Sequence, residues 1–377
     1  MKRSHIIIVA FLVLQLASCI EPELHRPEQT AVIENPTVET ELEMAWDVET
    51  DVSTTWDFGW DEQDKATWGE PTYTEPTEFQ MRRYYKGNDT NAPHTDVEAF
   101  SITGGNFQGK FAFGYYDMLF WSEIESEDGA QAVVIKENKD SVTATTTGTK
   151  GLARAAMKLL DANSDIEEGG IIGLMNQPEI FYASYAQNIY ISRNPNDYVY
   201  DAERNTYTKT IDNNLRPMVY MYLIQIVLLN NDGRVKDVNG NAAISGMASG
   251  TNLNTGRTNS IPTVIYFNTR MKQNMSYEGT PCDIIGGKLN AFGLCDANPA
   301  QTYHVLFDLE FDNNTTKTYA IDVTDQCRNL TQGGTITVTI DCGEIIKPDN
   351  PEPESKTGSL FIPTVEDYKD VDWEFGF

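Results

Sequence analysis

The run MVYMYLIQIVLL, residues 218–229, decides the fold class. Outside the N-terminal segment it is the longest apolar stretch of the chain, 12 residues broken only by Gln225. A membrane-spanning helix needs about 20 apolar residues, so this run is too short to cross a bilayer. It reads as a strand buried on both faces. A turn at Asn231-Asp232-Gly233 follows. Further strand patterns then recur at Ala243–Met247, Thr263–Thr269, Gly286–Leu294, His304–Phe311, Thr318–Val323 and Gly334–Ile340. Asp312-Asn313-Asn314 separates two of these as a hairpin turn.

Upstream the pattern is also β. Thr37–Val48 alternates an acidic face with a mostly apolar one, as a half-buried strand does. Glu78–Tyr85, Val97–Thr103, Phe111–Ile124, Ala132–Lys136, Ser141–Thr147 and Glu179–Ser192 read as strands. Leu152–Leu160 is the one segment with helical spacing, through Leu152, Ala155, Ala156, Leu159 and Leu160. Arg193–Asn214 is polar and holds the turn cluster Asn194-Pro195-Asn196-Asp197. Many short strands with frequent turns and almost no helix argue for β-sandwiches. The expectation is an all-β chain of two tandem sandwich domains, 37–192 and 193–347, with one short helix in the first.

Asp51–Pro76 is acidic and aromatic without a clean period, and reads as an extended loop with aromatic anchors. Its Trp56, Trp60 and Trp68 are candidates for stacking on sugar rings, or else for covering a sandwich edge. Cys282, Cys295, Cys327 and Cys342 all fall in the C-terminal third. They are candidate disulfide cysteines, as two local bridges across the glycine turns between Cys282 and Cys295 and between Cys327 and Cys342, or else buried free thiols. Their spacing, with no C-x-x-C, does not suit zinc.

The N-terminus carries an address. Lys2 and Arg3, the apolar run Ile6–Leu14 and Leu16-Ala17-Ser18-Cys19 make a secretory signal. With Cys first after the cut, the signal resembles the lipobox of bacterial lipoproteins. That resemblance implies lipidation of Cys19, removal of residues 1–18 and attachment to the outer membrane at the cell surface. Residues 19–36 then form a polar tether. The chain has 28 basic and 56 acidic residues, a formal charge of −28. Such a charge repels nucleic acid, so none is expected as a partner.

Enzyme chemistry finds no foothold. The chain has four His, and neither H-E-x-x-H, G-x-S-x-G, a phosphate loop nor a dinucleotide fingerprint occurs. Asp161-Ala162-Asn163-Ser164-Asp165 begins like a calcium loop, but Ile166 stands where the turn Gly belongs and Ile172 where the bidentate Glu belongs. No cofactor and no metal are expected.

Beyond Lys347–Lys356, a Pro/Glu spacer, the chain reaches Val371-Asp372-Trp373-Glu374-Phe375-Gly376-Phe377. Here Val371, Trp373, Phe375 and Phe377 alternate with Asp372, Glu374 and Gly376, so 348–377 reads as a linker and a strand available to a partner.

Several blocks carry a family resemblance. They are Leu215–Ile224, the run Ile244-Ser245-Gly246-Met247-Ala248-Ser249-Gly250, the pair Gly286-Gly287-Lys288-Leu289 and Phe292-Gly293-Leu294, Tyr319–Gln326, and Gln177–Tyr182. In this order they resemble the fimbrillin superfamily, most of all the lipoproteins related to minor-fimbrium anchor subunits of type V pili. The resemblance is strongest over about residues 177–345. It implies two transthyretin-like (Greek-key) sandwiches, an N-terminal lipid, and cell adhesion with other fimbrial subunits as partners through strand addition. Polymerising members are cut by an Arg-directed protease after the first strand. Here no Arg lies between Arg26 and Arg82, so the first strand is expected to stay. The competing expectation is a surface glycan-binding lipoprotein. Without the family, Gly246 and Gly250 are explained as relief of backbone crowding, and Met247 as a core plug.

Overall fold

The computed structural model describes residues 37–44, 56–94, 96–103, 107–124, 131–148, 174–204, 206–236, 240–295 and 300–345. Among them the chain is all-β, as expected, with nineteen strands and two short α-helices.

The first sheet runs β3 (Asp96–Thr103), β2 (Glu78–Gly87), β5 (Gly114–Ser122), β9 (Tyr182–Ile191), β11 (Thr206–Pro217), β1 (Thr37–Met44) and β4 (Phe107–Lys110), with β10 (Val199–Asp201) also on β11. The second runs β18 (Thr316–Asp322), β17 (His304–Glu310), β13 (Asn241–Ala248), β15 (Pro262–Tyr277), β16 (Thr280–Ala291), β12 (Tyr220–Leu229) and β19 (Gly334–Asp341), with β8 (Leu174–Met175) beside β15. A third, small sheet is β14 (Gly250–Asn252), β7 (Ser141–Thr146) and β6 (Val133–Asn138).

The run that decided the fold is β12. It pairs with β16 antiparallel on one side and with β19 parallel on the other. Tyr222, Ile224, Ile226 and Leu228 face one core, while Met221, Leu223 and Val227 face another. Gln225 falls on the second face and is 1% exposed. Its amide oxygen accepts from the Asp57 backbone at 3.0 Å, and its nitrogen donates to Thr337 Oγ1 at 2.9 Å and Asp57 Oδ2 at 3.2 Å. The polar break in the apolar run is therefore fully occupied.

The second sheet folds over its core at β15, 16 residues long. The first part of β15 pairs with β13 and the second with β16, so one strand serves both layers. Phe267, Ile265, Val305, Phe307, Ile285 and Ile336 fill the space between. The register of β13 slips between Ser245 and Met247. Gly246 sits in that bulge at φ 96°, where an added Cβ would lie 2.4 Å from Thr302 O. An added Cβ at Gly250 would likewise lie 2.4 Å from Ala144 O. Met247 is fully buried in the core. All three residues thus do what the sequence suggested.

β5 repeats the logic of β12. Met118 and Phe120 face one core of the first sheet, and Leu119 and Trp121 face a second core. That second core is closed by Val133, Val142 and Ala144 of the small sheet, and by Ala248, Leu253 and Phe292 from farther along the chain.

Four local expectations are corrected. Residues 199–201 and 206–217 are not connector but β10 and β11, inside the first sheet, so the chain passes between the large sheets at Met218-Val219 rather than at 193. The alternation in β11 was hidden because Asn213, buried, takes a core-facing place and accepts from Ser184 Oγ. Within 51–76, Glu62–Trp68 is a helix, α1, not extended. Thr324–Asn329 forms a second helix, α2, where none was expected. The helix expected at 152–160 and the calcium-like stretch at 161–165 lie outside the described residues.

Gln225→Leu removes the partner of the Asp57 amide and of Thr337 while keeping apolar volume. It should lower stability by about 1–3 kcal/mol, read as a reduced urea midpoint at unchanged slope.

Candidate functional site

Three places in the structure stand out. The first is the seat of β1. It lies inside its sheet, parallel to β11 from Thr37↔Thr208 to Met44↔Leu215 and antiparallel to β4 from Thr37↔Lys110 to Thr40↔Phe107. Its loss would leave the facing backbone groups of β11 and β4 unpaired.

The second is the segment that begins at Trp56. It crosses to the second sheet and covers the outer face of β12. Phe58 is wholly buried there with Trp56, Met221, Leu223, Val227 and Ile284. α1 is opened by a reciprocal cap: Asp61 accepts from the Gln63 and Asp64 amides, and Asp64 accepts from the Asp61 amide. Asp64 is 0% exposed, an unusual place for a carboxylate. β15 supplies the answer. Arg270 and Lys272, two residues apart and so on one face, each reach Asp64 at 2.6 Å. Both also reach Asp61, at 2.8 and 3.1 Å. The hydrogen bond from Arg270 holds the Asp61 carboxyl well below the usual carboxylate range. Lys272 also donates to Phe58 O at 3.1 Å and sits 4.1 Å over the Phe58 ring. Lys288 donates to Trp68 O at 2.7 Å. Charge and aromatic packing together fasten α1 to the second sheet.

This decides where the three tryptophans go. Trp56 and Trp60 have ring centroids 6.3 Å apart, Trp60 and Trp68 5.6 Å, and Phe58 and Trp68 6.0 Å. Trp56 is 8% exposed, and Trp60 and Trp68 are half-buried against the same cluster. Their rings lie tilted against one another and pack on the face of β12, an interior strand, rather than along a sandwich edge.

The third place is a buried polar knot at Asp117, 2% exposed on β5. His94 Nε2 lies 3.0 Å from its Oδ2, Lys86 Nζ 3.2 Å, and Tyr185 donates to it at 3.1 Å. The Asn188 amide donates to Oδ1 at 2.8 Å. His94 Nδ1 is 3.3 Å from Asp140 Oδ1, at the β6–β7 turn, and its ring stacks on Tyr84. Burial works against the Asp117 charge. The hydrogen bonds from His94, the Asn188 backbone and Lys86 outweigh it, leaving the carboxyl below its ordinary range.

Cys282, Cys295, Cys327 and Cys342 are free thiols, all buried. Cys282 belongs to the cluster under Trp56, and Cys295 to the one around Phe292. Cys327 and Cys342 line the core of the second sheet. Burial pushes the Cys327 thiol up to about 12 and Cys342 up to about 11, which keeps both protonated and unreactive. Cys19 and the run of Val371, Trp373, Phe375 and Phe377 lie outside the described residues.

Sequence reasoning missed Asp64, Arg270, Lys272, Asp117, Lys86 and the role of His94. Two cations at alternate positions of one strand, in so acidic a chain, was a legible signal for Arg270 and Lys272. Asp117 lies in an aromatic run and gave none.

No protein-family model matches the chain, and no curated protein matches it. Solved structures do. The chain is similar to a candidate adhesin from Bacteroides ovatus, at 14% identity and TM-score 0.47, over 84% of this chain and 94% of that one. It is similar to the fimbrial anchor protein Mfa2 from Porphyromonas gingivalis, at 9% identity and TM-score 0.42, over 83% and 94%. It is also similar to the tip fimbrial protein Mfa3 of the same organism, at 8% identity and TM-score 0.32, over 76% and 81%. Identities of this size carry no side-chain chemistry from one chain to the other.

Asp64→Ala takes from Arg270 and Lys272 the buried one of their two carboxylates and leaves them Asp61 alone. It should cost about 3 kcal/mol and release the segment from Trp56 to Trp68, seen as new proteolytic cleavage there. The Asp117 contribution is fully present above the unfolded carboxyl value of about 4. It is lost as pH falls through the lower folded value. The urea midpoint should hold from neutral pH to about 5 and then decline, and Asp117→Asn should flatten that acid limb. An unchanged slope would remove Asp117 as its source.

Proposed function

We propose that the chain is a lipid-anchored cell-surface fimbrial subunit, of the accessory or anchor kind, and that its role is structural rather than enzymatic. Lipid on Cys19 holds it at the outer membrane, and the alternating run Val371–Phe377 is donated as a strand to a neighbouring subunit.

The observation that carries this is the seat of β1. A strand paired along its full length with β11, and additionally with β4, is costly to remove without cutting the chain. No Arg lies between Arg26 and Arg82, so an Arg-directed protease has no place to free it from the sheet. A subunit that retains its first strand offers no vacant slot to a donor, and one left uncut at Arg26 also keeps its lipid. Such a subunit ends a filament at the membrane side. The packing of the tryptophans supports this reading over glycan stacking.

Mass spectrometry of the mature N-terminus, on protein extracted from outer membranes, tests it. The expected start is a lipid-modified Cys19. A start beyond residue 48 would make the chain a stalk or tip subunit. Deleting residues 371–377 should leave membrane attachment intact and abolish co-purification with other fimbrial subunits.

A further inference from the structure

The polar knot at Asp117 brings together one residue from each of three neighbouring strands. β2, β5 and β9 lie in that order in the first sheet, and Lys86, Asp117 and Asn188 meet across them. Both ladders are irregular at this point. The β2–β5 register shifts between Tyr85 and Gly87, at Lys86, and the β5–β9 register shifts between Tyr116 and Met118, at Asp117. Asn188 stands opposite the second shift at φ 57°, in the left-handed region. Bulges of this kind re-aim side chains. Here they bring Lys86 and Asn188 together beside Asp117.

Lys86 Nζ donates to Asn188 Oδ1 at 2.9 Å and lies 3.2 Å from Asp117 Oδ2. Asn188 Cγ, the carbon of a primary amide, is one bond beyond the oxygen that Nζ touches. Asp117 Oδ1 also accepts from the Asn188 backbone amide at 2.8 Å, so the carboxylate and the asparagine are held to one another. The side chains of Lys86 and Asp117 are 8% and 3% exposed, which shields the nitrogen and the carboxylate from water. Asn188 itself is exposed, and that gives a small leaving group an exit. A lysine ordinarily keeps its head in water. An ion pair would explain its burial beside Asp117, but the contact with Asn188 adds an electrophilic carbon within reach of a nucleophile and a base.

We propose that Lys86 and Asn188 join in a covalent amide that ties β2 to β9 across β5, with Asp117 as the proton carrier. Lys86 enters as the free amine, its ammonium proton lost to water. Its nitrogen lone pair forms a bond to Asn188 Cγ, and the C=O electron pair moves onto Oδ1. Asp117 takes one proton from the nitrogen, now positively charged, and passes it to Nδ2. Oδ1 then re-forms the C=O bond, the Cγ–Nδ2 bond breaks with its electron pair on nitrogen, and ammonia leaves. One amine and one primary amide become one secondary amide and one ammonia, with no change of oxidation state. The fold supplies the proximity that such a slow exchange lacks in free solution. The inference stands independently of the lipid and of the fimbrial role.

Peptide mapping of the full folded chain tests it, after incubation at neutral and at mildly alkaline pH. Trypsin should yield peptide 84–110, uncut after Lys86, joined to peptide 159–193, at their summed mass less one ammonia. The joined form should accumulate faster at the higher pH, where a larger share of a lysine side chain is the free amine. Lys86→Arg should give separate peptides, cut after residue 86. Asp117→Asn should slow the joining about a hundredfold or more, the usual reach of a positioned proton carrier. The parent chain held unfolded in urea should not join, an arm that needs no variant to fold. The proposal fails if the parent peptides stay separate, if joining proceeds equally in urea, or if Asp117→Asn joins at the parent rate.

Discussion

A strand that is apolar on both faces cannot end a sandwich. It demands a second cover, and this demand organises the whole chain. β12 and β5 are such strands, each paired on both sides within its sheet. In each case the second cover comes from a distant part of the sequence. The segment from Trp56 to Trp68 precedes the first sheet's β2 yet packs on β12. Ala248, Leu253 and Phe292 follow β12 yet close the core behind β5, and β14 pairs with β7 there. The two large sheets therefore exchange covers. Each depends on burial supplied by the other's chain, at the usual gain of about 25 cal/mol per Å² of apolar surface.

The buried charged and amide groups at the centre of these covers have partners. Asp64 meets Arg270 and Lys272, Gln225 meets Asp57 and Thr337, and Asp117 gathers three side chains and one backbone amide. Buried ionic groups add less to stability than apolar packing would, but breaking one partner is costly. Their effect is to fix which cover goes where. α1 can lie on β15 in one register, since only there do both cations reach both carboxylates.

Most strands were legible because their apolar residues alternate or run continuously between turn residues. β12 announced itself, and the bulge at Gly246 was readable as crowding relief. What escaped had local signals overruled by distant partners. α1 shows no apolar period because its buried residue is Asp64, whose partners sit more than two hundred positions away. Its capping pair, Asp61 with Asp64, was the only trace in sequence. β11 looked like a linker because its alternate positions include Lys209 and buried Asn213. The division at residue 193 failed for the same reason: composition marks polarity, and here polar residues lie within a sheet. The tryptophans could be recognised as anchors, but their surface lay on β12, which no local pattern could show.

The pairing of β1 with β11 has a mechanical side. The two strands run parallel along eight residues, from Thr37↔Thr208 to Met44↔Leu215. Tension arriving through the chain before Thr37, and directed along the strand, would load those hydrogen bonds together, in shear. A ladder loaded in shear must yield all at once, whereas one peeled from its end yields a bond at a time. Forced separation is governed by the height of such a barrier rather than by equilibrium stability. A chain held by its N-terminal side would thus meet traction at the point where its sheet is best arranged to bear it.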